Sequence, residues 1–566
     1  MLNWFRNNRD STLASVVVLI VGILVLVPIV VLIYSSFRTG RPGYPGEFSL
    51  SNYTSAYLDI NTYITIWRSV YFAIAATLLS LFMGSVAAWL LERTNMPGRA
   101  TAYTLMLSPM AIPRMLYAIA WILLLSANIG IFSSLLQSVF GVSGFNIFSM
   151  TGMIWVQALI EVPTSFLMVL GTFRSMDPSL EEAAAVGGST IMGTLRQITA
   201  PLARPGLLAS GIFLFTVNME VFEVPGIIGL PAGIRVFATT IYTNANVLSP
   251  PRYGLANTYA VTFLVLSIFL VIMYRRATRD SLRFATVTGK GYRGREIDLG
   301  RWRYVATSGF SIFFLVTVLA PILILLYSSF LPLYLVPSYE SFGNMSFDNY
   351  IALMQAPWLG KVLRNTFIVM TIAPLVAVMI AGMTVWVIHR SALHMRWKRV
   401  LDILSFLPQA TPSIVIALAL ILVFLNVSFL PPIYGTVWII ALAFIIRYLP
   451  YATRTIGASV LQIHKELDES AQICGASGVR SFYYITLPLV GSSLINVGIW
   501  VAMQSARALS AALMLFSTKN EVLSARIWST WFGGDIPMVG AIAVVMTVVL
   551  LVISTVGRSI ASRLRH

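Results

Sequence analysis

The chain has 566 residues, of which 57% are hydrophobic and only 10% charged, and its mean hydropathy is +0.82. A soluble domain is about 25% charged, so this composition excludes a string of ordinary soluble domains. The net charge of +17 could suggest nucleic acid, but Lys and Arg cluster beside apolar runs, as orientation in a membrane requires. A single cysteine, Cys474, excludes an intramolecular disulfide framework, and four scattered histidines do not favour a metal centre. We therefore predict an integral membrane protein that binds lipid but neither nucleic acid nor a metal cofactor.

Twelve apolar stretches are long enough to cross a bilayer as helices, which takes about 20 residues each. In the first half they are 13–36, 66–91, 102–126, 148–172, 205–228 and 256–274. In the second half they are 306–330, 364–388, 399–425, 434–456, 490–513 and 537–557. The first stretch is long for a signal-peptide core and lacks a convincing cleavage site, so we predict that it is a retained helix.

The charges of the connecting segments predict the orientation. Residues 275–303 carry nine Lys or Arg against three Asp or Glu, whereas 127–147 and 426–433 carry no charge. Basic loops remain in the cytoplasm. Both termini, and two polar loops near residues 182 and 469, are therefore predicted to be cytoplasmic.

The two halves of the chain repeat one another. A pattern of acidic, small and proline residues recurs after 287 positions: Glu181, Glu182, Ala183, Ala184, Gly188, Ile198 and Pro201 return as Asp468, Glu469, Ser470, Ala471, Gly475, Ile485 and Pro488. Trp89-x3-Arg93 likewise returns as Trp386-x3-Arg390, and Pro109-x3-Pro113 as Pro408-x3-Pro412. An even number of spans per half predicts two parallel repeats related by an axis along the membrane normal. We predict membrane domains at 1–274 and 304–566, joined by a basic cytoplasmic linker at 275–303.

The polar loop at 173–204 predicts a pair of short helices. Leu180, Ala183 and Ala184 approximate one helical face, and Glu181 and Glu182 lie in the first turn, where the helix dipole favours acids. Asp177 is a candidate N-cap. Such a pair can insert into a groove of a partner, or it can lie on the lipid surface. Duplication of the pattern in the second half favours the partner.

The pattern Glu-Ala-Ala-x3-Gly-x9-Ile-x-Leu-Pro resembles the EAA loop of bacterial ABC-importer permeases that work with a solute-binding protein. The first copy departs from it at Ala200, where Leu is usual, and the second at Ser470, where Ala is usual. The resemblance covers essentially the whole chain and implies an all-α type I importer fold in the inner membrane. It also implies two fused membrane domains, an extracytoplasmic solute-binding protein, and two copies of a cytoplasmic ATPase subunit. The implied ATPase contacts are Glu181, Glu182, Ala183, Ala184 and Gly188 in one loop, and Asp468, Glu469, Ser470, Ala471 and Gly475 in the other.

The chain lacks the G-x4-G-K-[ST] spacing of a phosphate-binding loop. We therefore expect a transport subunit without catalytic residues or cofactors of its own, with ATP and Mg on the partner ATPase. The stretch from Thr288 to Arg293 resembles fused permeases of the iron(III)-importer type. Ferric iron is accordingly the predicted solute, and polyamine, thiamine, phosphonate and oxyanion remain alternatives.

Ionisable residues inside predicted spans are candidates for the translocation pathway. They are Glu161, Glu220, Glu223, Arg447 and Arg507. The alternative is that they pair with neighbours or extend to the membrane surface. Glu220 and Arg507 share the 287-residue offset, which raises the hypothesis that they pair as a gate.

Two other classes of protein remain possible. An ion-coupled secondary transporter would use buried acids such as Glu161, but it leaves the duplicated loops unexplained. A polytopic membrane enzyme would need clustered His, Asp or Ser, and the sequence displays no such cluster. Association with an ATPase subunit would distinguish an importer from a secondary transporter and from a membrane enzyme.

Overall fold

The computed structural model describes residues 2–44, 46–141, 145–177, 179–279, 296–391, 393–427, 430–464 and 466–563. Over these residues the chain forms helices, and β structure is limited to two isolated bridges. The helices of the first half are α1 (Leu2–Ser36), α2 (Ser51–Leu58), α3 (Ile60–Arg93), α4 (Arg99–Leu107), α5 (Arg114–Leu125), α6 (Ile131–Phe140), α7 (Met150–Ser175), α8 (Ser179–Val186), α9 (Ile191–Thr194), α10 (Ala200–Glu220), α11 (Phe237–Tyr242) and α12 (Tyr253–Arg279). Those of the second half are α13 (Trp302–Phe314), α14 (Ala320–Ser329), α15 (Tyr339–Gly343), α16 (Asp348–Gln355), α17 (Leu359–His389), α18 (Met395–Phe406), α19 (Ser413–Asn426), α20 (Val437–Leu461), α21 (Glu466–Ile473), α22 (Gly478–Ser481), α23 (Leu487–Leu489), α24 (Gly491–Arg507), α25 (Ser510–Met514), α26 (Leu523–Phe532) and α27 (Ile536–Arg563).

The number of candidate spans agrees with the sequence. By length and composition, nine helices in the described ranges could cross a membrane, or up to twelve when each of three bent pairs is one span. Outward faces are apolar, as on α1, where Leu19 and Val30 are about 60% exposed (61% and 59%). The prediction of an all-α membrane protein with about twelve spans is confirmed.

Two of the predicted spans, 102–126 and 399–425, are broken rather than straight. The helix Arg99–Ala111 meets α5 at 97°, and Met395–Ala410 meets α19 at 108°. Each break falls at a residue before proline, Ile112 or Thr411, which is extended because the proline ring disfavours helical backbone there. The third pair, Gly478–Leu489 and α24, bends by 74°. Pro113 and Pro412 therefore each separate two helices, whereas Pro163 and Pro450 lie inside the continuous helices α7 and α20.

One predicted span ends earlier than expected. The stretch 205–228 was predicted as one helix, but α10 ends at Glu220 because Val221 is extended, with φ −65° and ψ 137°. A π turn follows at Pro225–Gly229. Glu223 therefore lies beyond the helix that was predicted to contain it.

The helices pack into two compact units. One, termed the N-repeat unit, comprises Ile60–Thr239 and Leu266–Asn349. The other, termed the C-repeat unit, comprises Met1–Asp59, Thr240–Val265 and Tyr350–His566. Helix α1 packs on α17, α18 and α19 of the C-repeat unit, and α13 packs on α4 of the N-repeat unit. The packing units thus differ from the two halves of the sequence repeat, because α1, α2 and Thr240–Val265 of the first half belong to the C-repeat unit, and α13, α14 and α15 of the second half belong to the N-repeat unit. The linker stretch Thr288 to Arg293 lies outside the described residues.

Small residues allow the central helices of each unit to approach closely. In the N-repeat unit, α3 turns Ala73, Ala76, Gly84 and Ala88 inward, and it packs along α7. A Cβ on Gly84 would lie 2.7 Å from the backbone nitrogen of Phe166 on α7. In the C-repeat unit α17 packs on α20 and buries a row of alanines at every fourth position, Ala373, Ala377 and Ala381. Helix association in lipid depends on such close packing, because lipid removes the hydrophobic driving force between helices.

Candidate functional site

The first polar loop begins with the expected short helix α8, but its second helix, α9, continues through a π turn into α10, so that Ile191–Glu220 is one helix of 30 residues. Helix α8 begins at Ser179, whose backbone amide donates to the Asp177 carboxylate at 2.9 Å. This hydrogen bond holds the pKa of Asp177 below its ordinary value. Gly188 then takes a left-handed backbone, with φ +80°. Thr190 caps α9 by accepting from the amide of Gly193 at 3.1 Å.

The second loop has the same construction 287 positions later. Helix α21 spans Glu466–Ile473, and Gly475 has φ +88°. Ser477, the counterpart of Thr190, caps α22 by accepting from the amide of Arg480 at 3.2 Å. A π turn follows each short helix, at Leu195–Thr199 and Phe482–Thr486. The sequence repeat is therefore a structural repeat in these loops.

Each loop exposes apolar side chains on one helical face. On α8, Val186 is 90% exposed and Leu180 45%, and on α21 their counterparts Ile473 and Leu467 are 88% and 47% exposed. Between them Ala183 and Ser470 are also exposed. Residues at i, i+3 and i+6 lie on one side of a helix. Each loop thus presents an apolar stripe suited to a groove in a partner.

The remaining predicted contact residues divide between exposed and inner positions. Gly188 and Glu469 are exposed, while the half-buried positions are Glu182, Ala184, Ala471 and Gly475. Glu181 and Asp468 differ from the rest, because both are buried, at 8% and 6% exposure. Their carboxylates bind side chains of this chain instead of lying on the apolar stripe.

In the N-repeat unit the partner of Glu181 is Arg93, the last residue of α3. The Arg93 Nε lies 3.6 Å from Glu181 Oε2, and the Thr199 hydroxyl donates to Glu181 Oε1 at 2.6 Å. The Arg93 Nη2 also donates to the carbonyls of Phe173 and Met176, at 2.8 and 3.1 Å. These carbonyls end α7, where helices have unpaired acceptors and a negative dipole end. One guanidinium therefore joins the ends of two membrane helices to the loop.

The C-repeat unit repeats this arrangement at the matching positions. Arg390, which follows α17, places Nη1 3.1 Å from Asp468 Oδ2. Its Nη2 donates to the carbonyls of Val460 and Ile463 at the end of α20, at 3.3 and 2.9 Å. Asp468 Oδ1 accepts from Ser481 at 2.5 Å and from Thr486 at 3.2 Å. The shorter acid thus has a second hydroxyl donor.

We call these two sets the Arg–acid clamps: Arg93, Glu181 and Thr199 in one unit, and Arg390, Asp468 and Thr486 in the other. Both arginines are buried, at 10% and 8% side-chain exposure. Neither arginine was predicted as a site residue. The repeat of Trp-x3-Arg was the available signal, but the loop partner lies about 80 residues further along the chain and only the fold brings it near.

The structure gives Glu161 a buried polar network in the N-repeat unit. Its Oε1 accepts from Arg114 Nη2 at 2.7 Å and from Gln157 Nε2 at 3.4 Å. Gln157 also donates to Asn218 at 2.8 Å, which in turn donates to Thr77 at 2.9 Å. The Glu161 side chain is only 1% exposed. These contacts connect α3, α5, α7 and α10, and a role of Glu161 in the pathway stays a prediction.

Arg447 belongs to one of the helix breaks in the C-repeat unit. Its Nη1 lies 3.4 Å from the Pro408 carbonyl and 3.3 Å from the Thr411 carbonyl, to which it donates. Both carbonyls are at the break before α19, where a helix leaves acceptors without helical partners. Arg447 therefore donates hydrogen bonds to the backbone carbonyls that the helix break leaves without helical partners.

The other predicted pathway residues are half-buried. Arg507 Nε donates to Gln504 at 2.5 Å within α24, and Glu223 Oε2 accepts from the amide of Phe222 at 3.4 Å. Glu220 is the last residue of α10. A role for these residues in the pathway, and the Glu220–Arg507 gate, stay predictions. In the described ranges, groups of three or more His, Cys, Asp or Glu that could hold a metal are absent.

Comparisons with known proteins agree with this geometry. Residues 391–566 match the family described as "Binding-protein-dependent transport system inner membrane component". The chain is 24% identical to the ferric transport system permease protein FbpB of Actinobacillus pleuropneumoniae, over 95% of this chain and 76% of the relative. It is 25% identical to the putative ferric transport system permease protein FbpB 1 of Haemophilus influenzae, over 89% of this chain and 78% of the relative. It is also 24% identical to the diacetylchitobiose uptake system permease protein NgcG of Streptomyces coelicolor, over 39% of this chain and 69% of the relative.

The helical membrane fold, the paired loops and these matches define the class: the chain is a transmembrane permease of an ATP-binding-cassette importer of the inner membrane. The chain is similar to the two ferric relatives over both of its halves, as expected for two fused membrane domains. The resemblance predicted from the loops is confirmed.

Proposed function

We propose that this permease forms the translocation pathway for ferric iron delivered by an extracytoplasmic binding protein. In this proposal, two copies of a cytoplasmic ATPase subunit dock on the loops, one copy on each. The proposed docking is supported by the exposed apolar stripe on both α8 and α21, where Val186 is 90% and Ile473 is 88% exposed. A soluble surface rarely leaves large apolar side chains so exposed at equivalent places unless a partner covers them.

The mechanism follows from a partner on both loops. ATP-driven closure of the ATPase pair moves the two loops, and the membrane helices attached to them follow. The pathway then switches between inward-open and outward-open states, which is alternating access. The chain itself makes and breaks no covalent bond. ATP and Mg belong to the partner subunit. Both termini lie in the cytoplasm, on the side of the basic loops.

Ferric iron is the solute that the comparisons favour. The two ferric relatives align with 95% and 89% of this chain, whereas the sugar-uptake relative aligns with 39%. The cargoes named for these relatives differ from one another. Polyamine, thiamine, phosphonate and oxyanion are therefore the competing solutes in the test.

The test is uptake into proteoliposomes that contain the full chain, its ATPase and its binding protein. Ferric iron, putrescine, thiamine, methylphosphonate and molybdate are compared with and without ATP. We expect ATP-dependent uptake of ferric iron, and its loss in a double variant Val186→Asp and Ile473→Asp. Burial of such side chains is worth roughly 1.5–3 kcal/mol each, so docking should weaken at least about tenfold per loop.

The matched control keeps the same positions apolar, with Val186→Leu and Ile473→Leu. These variants should retain uptake. ATP-dependent uptake of another solute in place of iron would contradict the proposed cargo but not the importer mechanism. Uptake that follows an ion gradient without ATP would overturn the importer and favour an ion-coupled secondary transporter.

A further inference from the structure

The two Arg–acid clamps are buried ion pairs at equivalent places in the two repeats. Glu181 and Asp468 occupy the first turn of α8 and α21, directly behind the exposed stripes. Other ion pairs near the loops are solvated. The pair of Arg174 and Glu92 is 57% and 26% exposed, and the pair of Arg454 and Asp402 is 45% and 33% exposed. Burial therefore distinguishes the clamps from ordinary surface pairs.

Each clamp arginine contacts three segments at once. Arg390 follows α17, donates to the carbonyls of Val460 and Ile463 at the end of α20, and pairs with the acid of α21. Ser481 and Thr486 connect the same carboxylate to α22 and to the π turn after it. A loop helix held at one point on its inner side can rotate about that point, but one held to several segments must move with them.

The two repeats reach the same geometry with different groups. The N-repeat clamp uses Glu181, and the C-repeat clamp uses the shorter Asp468 with an added hydroxyl from Ser481. The accepting carbonyls, Phe173 and Val460, stand at matching positions. The acids differ, but in both repeats an arginine connects the end of a membrane helix to the acid of the loop helix. This connection is the feature that the two repeats share.

We propose that the Arg–acid clamps are positioning elements that transmit movement of the docked ATPase from α8 and α21 to the ends of α3, α7, α17 and α20. This inference rests on the proposed docking of an ATPase at the loops. The clamps make no contact with ATP or solute. Without them the ATPase still docks on the apolar stripes and hydrolyses ATP, but its motion reaches the membrane helices incompletely.

The first test needs no ATPase. Cys474 is the single cysteine of the sequence, and it is exposed beside Gly475. A nitroxide attached there to the full chain in lipid nanodiscs reports the mobility of the second loop by electron paramagnetic resonance. Asp468→Asn should increase that mobility, and Asp468→Glu, which installs the acid of the other repeat, should restore most of the order. Asp402→Asn, in an exposed pair of the same unit, is the matched control and should change nothing.

Unchanged mobility in Asp468→Asn would overturn the proposal, even if ATPase docking proves correct. If Asp468→Asn does not yield folded protein, Thr486→Val removes one hydroxyl donor and keeps the charges. We expect a smaller gain in mobility from that variant, and no gain would contradict the clamp.

The second test uses the full complex with its ATPase and binding protein. Glu181→Gln should leave ATPase binding within about twofold of wild type and should reduce solute uptake per ATP hydrolysed about tenfold or more. Arg174→Gln removes an exposed charge from the same end of α7 and should leave this ratio unchanged. Equal losses of binding and uptake in Glu181→Gln would place this residue in the docking surface and overturn its role in transmission. Failure of wild-type complex to assemble would instead overturn the proposed function.

Discussion

At the scale of single residues, burial decides how much a charge matters in this protein. Removal of one partner of a buried ion pair leaves the other charge uncompensated and typically costs about 3–5 kcal/mol. An exposed pair contributes only about 0–1 kcal/mol. The clamp pair Arg390–Asp468, at 8% and 9% side-chain exposure, belongs to the first kind, and Arg454–Asp402 belongs to the second. Substitution at a clamp therefore acts on local structure, whereas the exposed pair is suited to serve as a control.

The glycine that follows each loop helix gives a second prediction at this scale. Gly188 and Gly475 have φ +80° and +88°, a left-handed conformation that costs an L-residue roughly 1–2 kcal/mol. Gly188→Ala and Gly475→Ala should each weaken binding of the ATPase subunit about 5–30-fold, measured by titration against the permease in nanodiscs. Gly171→Ala is the control, because Gly171 is helical and has open space around a Cβ. Wild-type affinity in both loop variants would contradict the prediction.

At the scale of elements, small residues and prolines shape the membrane helices. The row of small side chains on α3 brings α7 close, and the alanine row on α17 does the same for α20. Prolines end helices in mid-span, and Arg447 satisfies the carbonyls that one break leaves free. Close packing and satisfied backbone groups are the two conditions that a helix bundle in lipid must meet.

Gly84 tests the packing of α3 on α7. A Cβ at this position would lie 2.5 Å from Ser165 Oγ and 2.7 Å from the backbone nitrogen of Phe166. Because a helix backbone cannot move aside freely, Gly84→Ala should destabilise the protein by about 1–3 kcal/mol, seen as a lower apparent melting temperature in detergent. Gly382→Ala on α17 is the matched control, since a Cβ there meets nothing within 4 Å. Equal melting temperatures for the two variants would show that the helices can separate without cost.

At the scale of the whole molecule, duplication of the loops predicts the stoichiometry of the importer. Each repeat carries its own α8 or α21 with an exposed stripe, so one chain should bind two ATPase subunits. Native mass spectrometry without ATP should find this 1:2 complex for the wild type. Val186→Asp alone should leave one bound subunit, as should Ile473→Asp alone, and the double variant should bind none. A single variant that lost both subunits would indicate one composite docking site in place of two.

Much of the architecture of this protein could be predicted from local properties of the sequence. Apolar stretches of spanning length, basic loops and a pattern repeated after 287 residues predicted about twelve helices, two repeats and paired polar loops, and the resemblance of those loops to the EAA loop implied an ATPase partner. The third and ninth spans were less predictable, because a proline in a span is compatible with a kink or with a complete break. The end of α10 at Glu220 carried no clear local signal.

The residues of the repeat that contact one another follow from the three-dimensional packing of the helices. Arg93 and Glu181 are 88 positions apart, and Arg390 and Asp468 are 78 apart, so each pair depends on how the intervening helices return to the same side of the unit. The exposure of Val186 and the burial of Glu181, five residues earlier, likewise depend on which face of α8 meets the rest of the unit. The packing of α1 on second-half helices likewise depends on contacts between segments that are far apart in the sequence. Helix periodicity is encoded locally, but the neighbour of each helical face is set by packing over the whole chain.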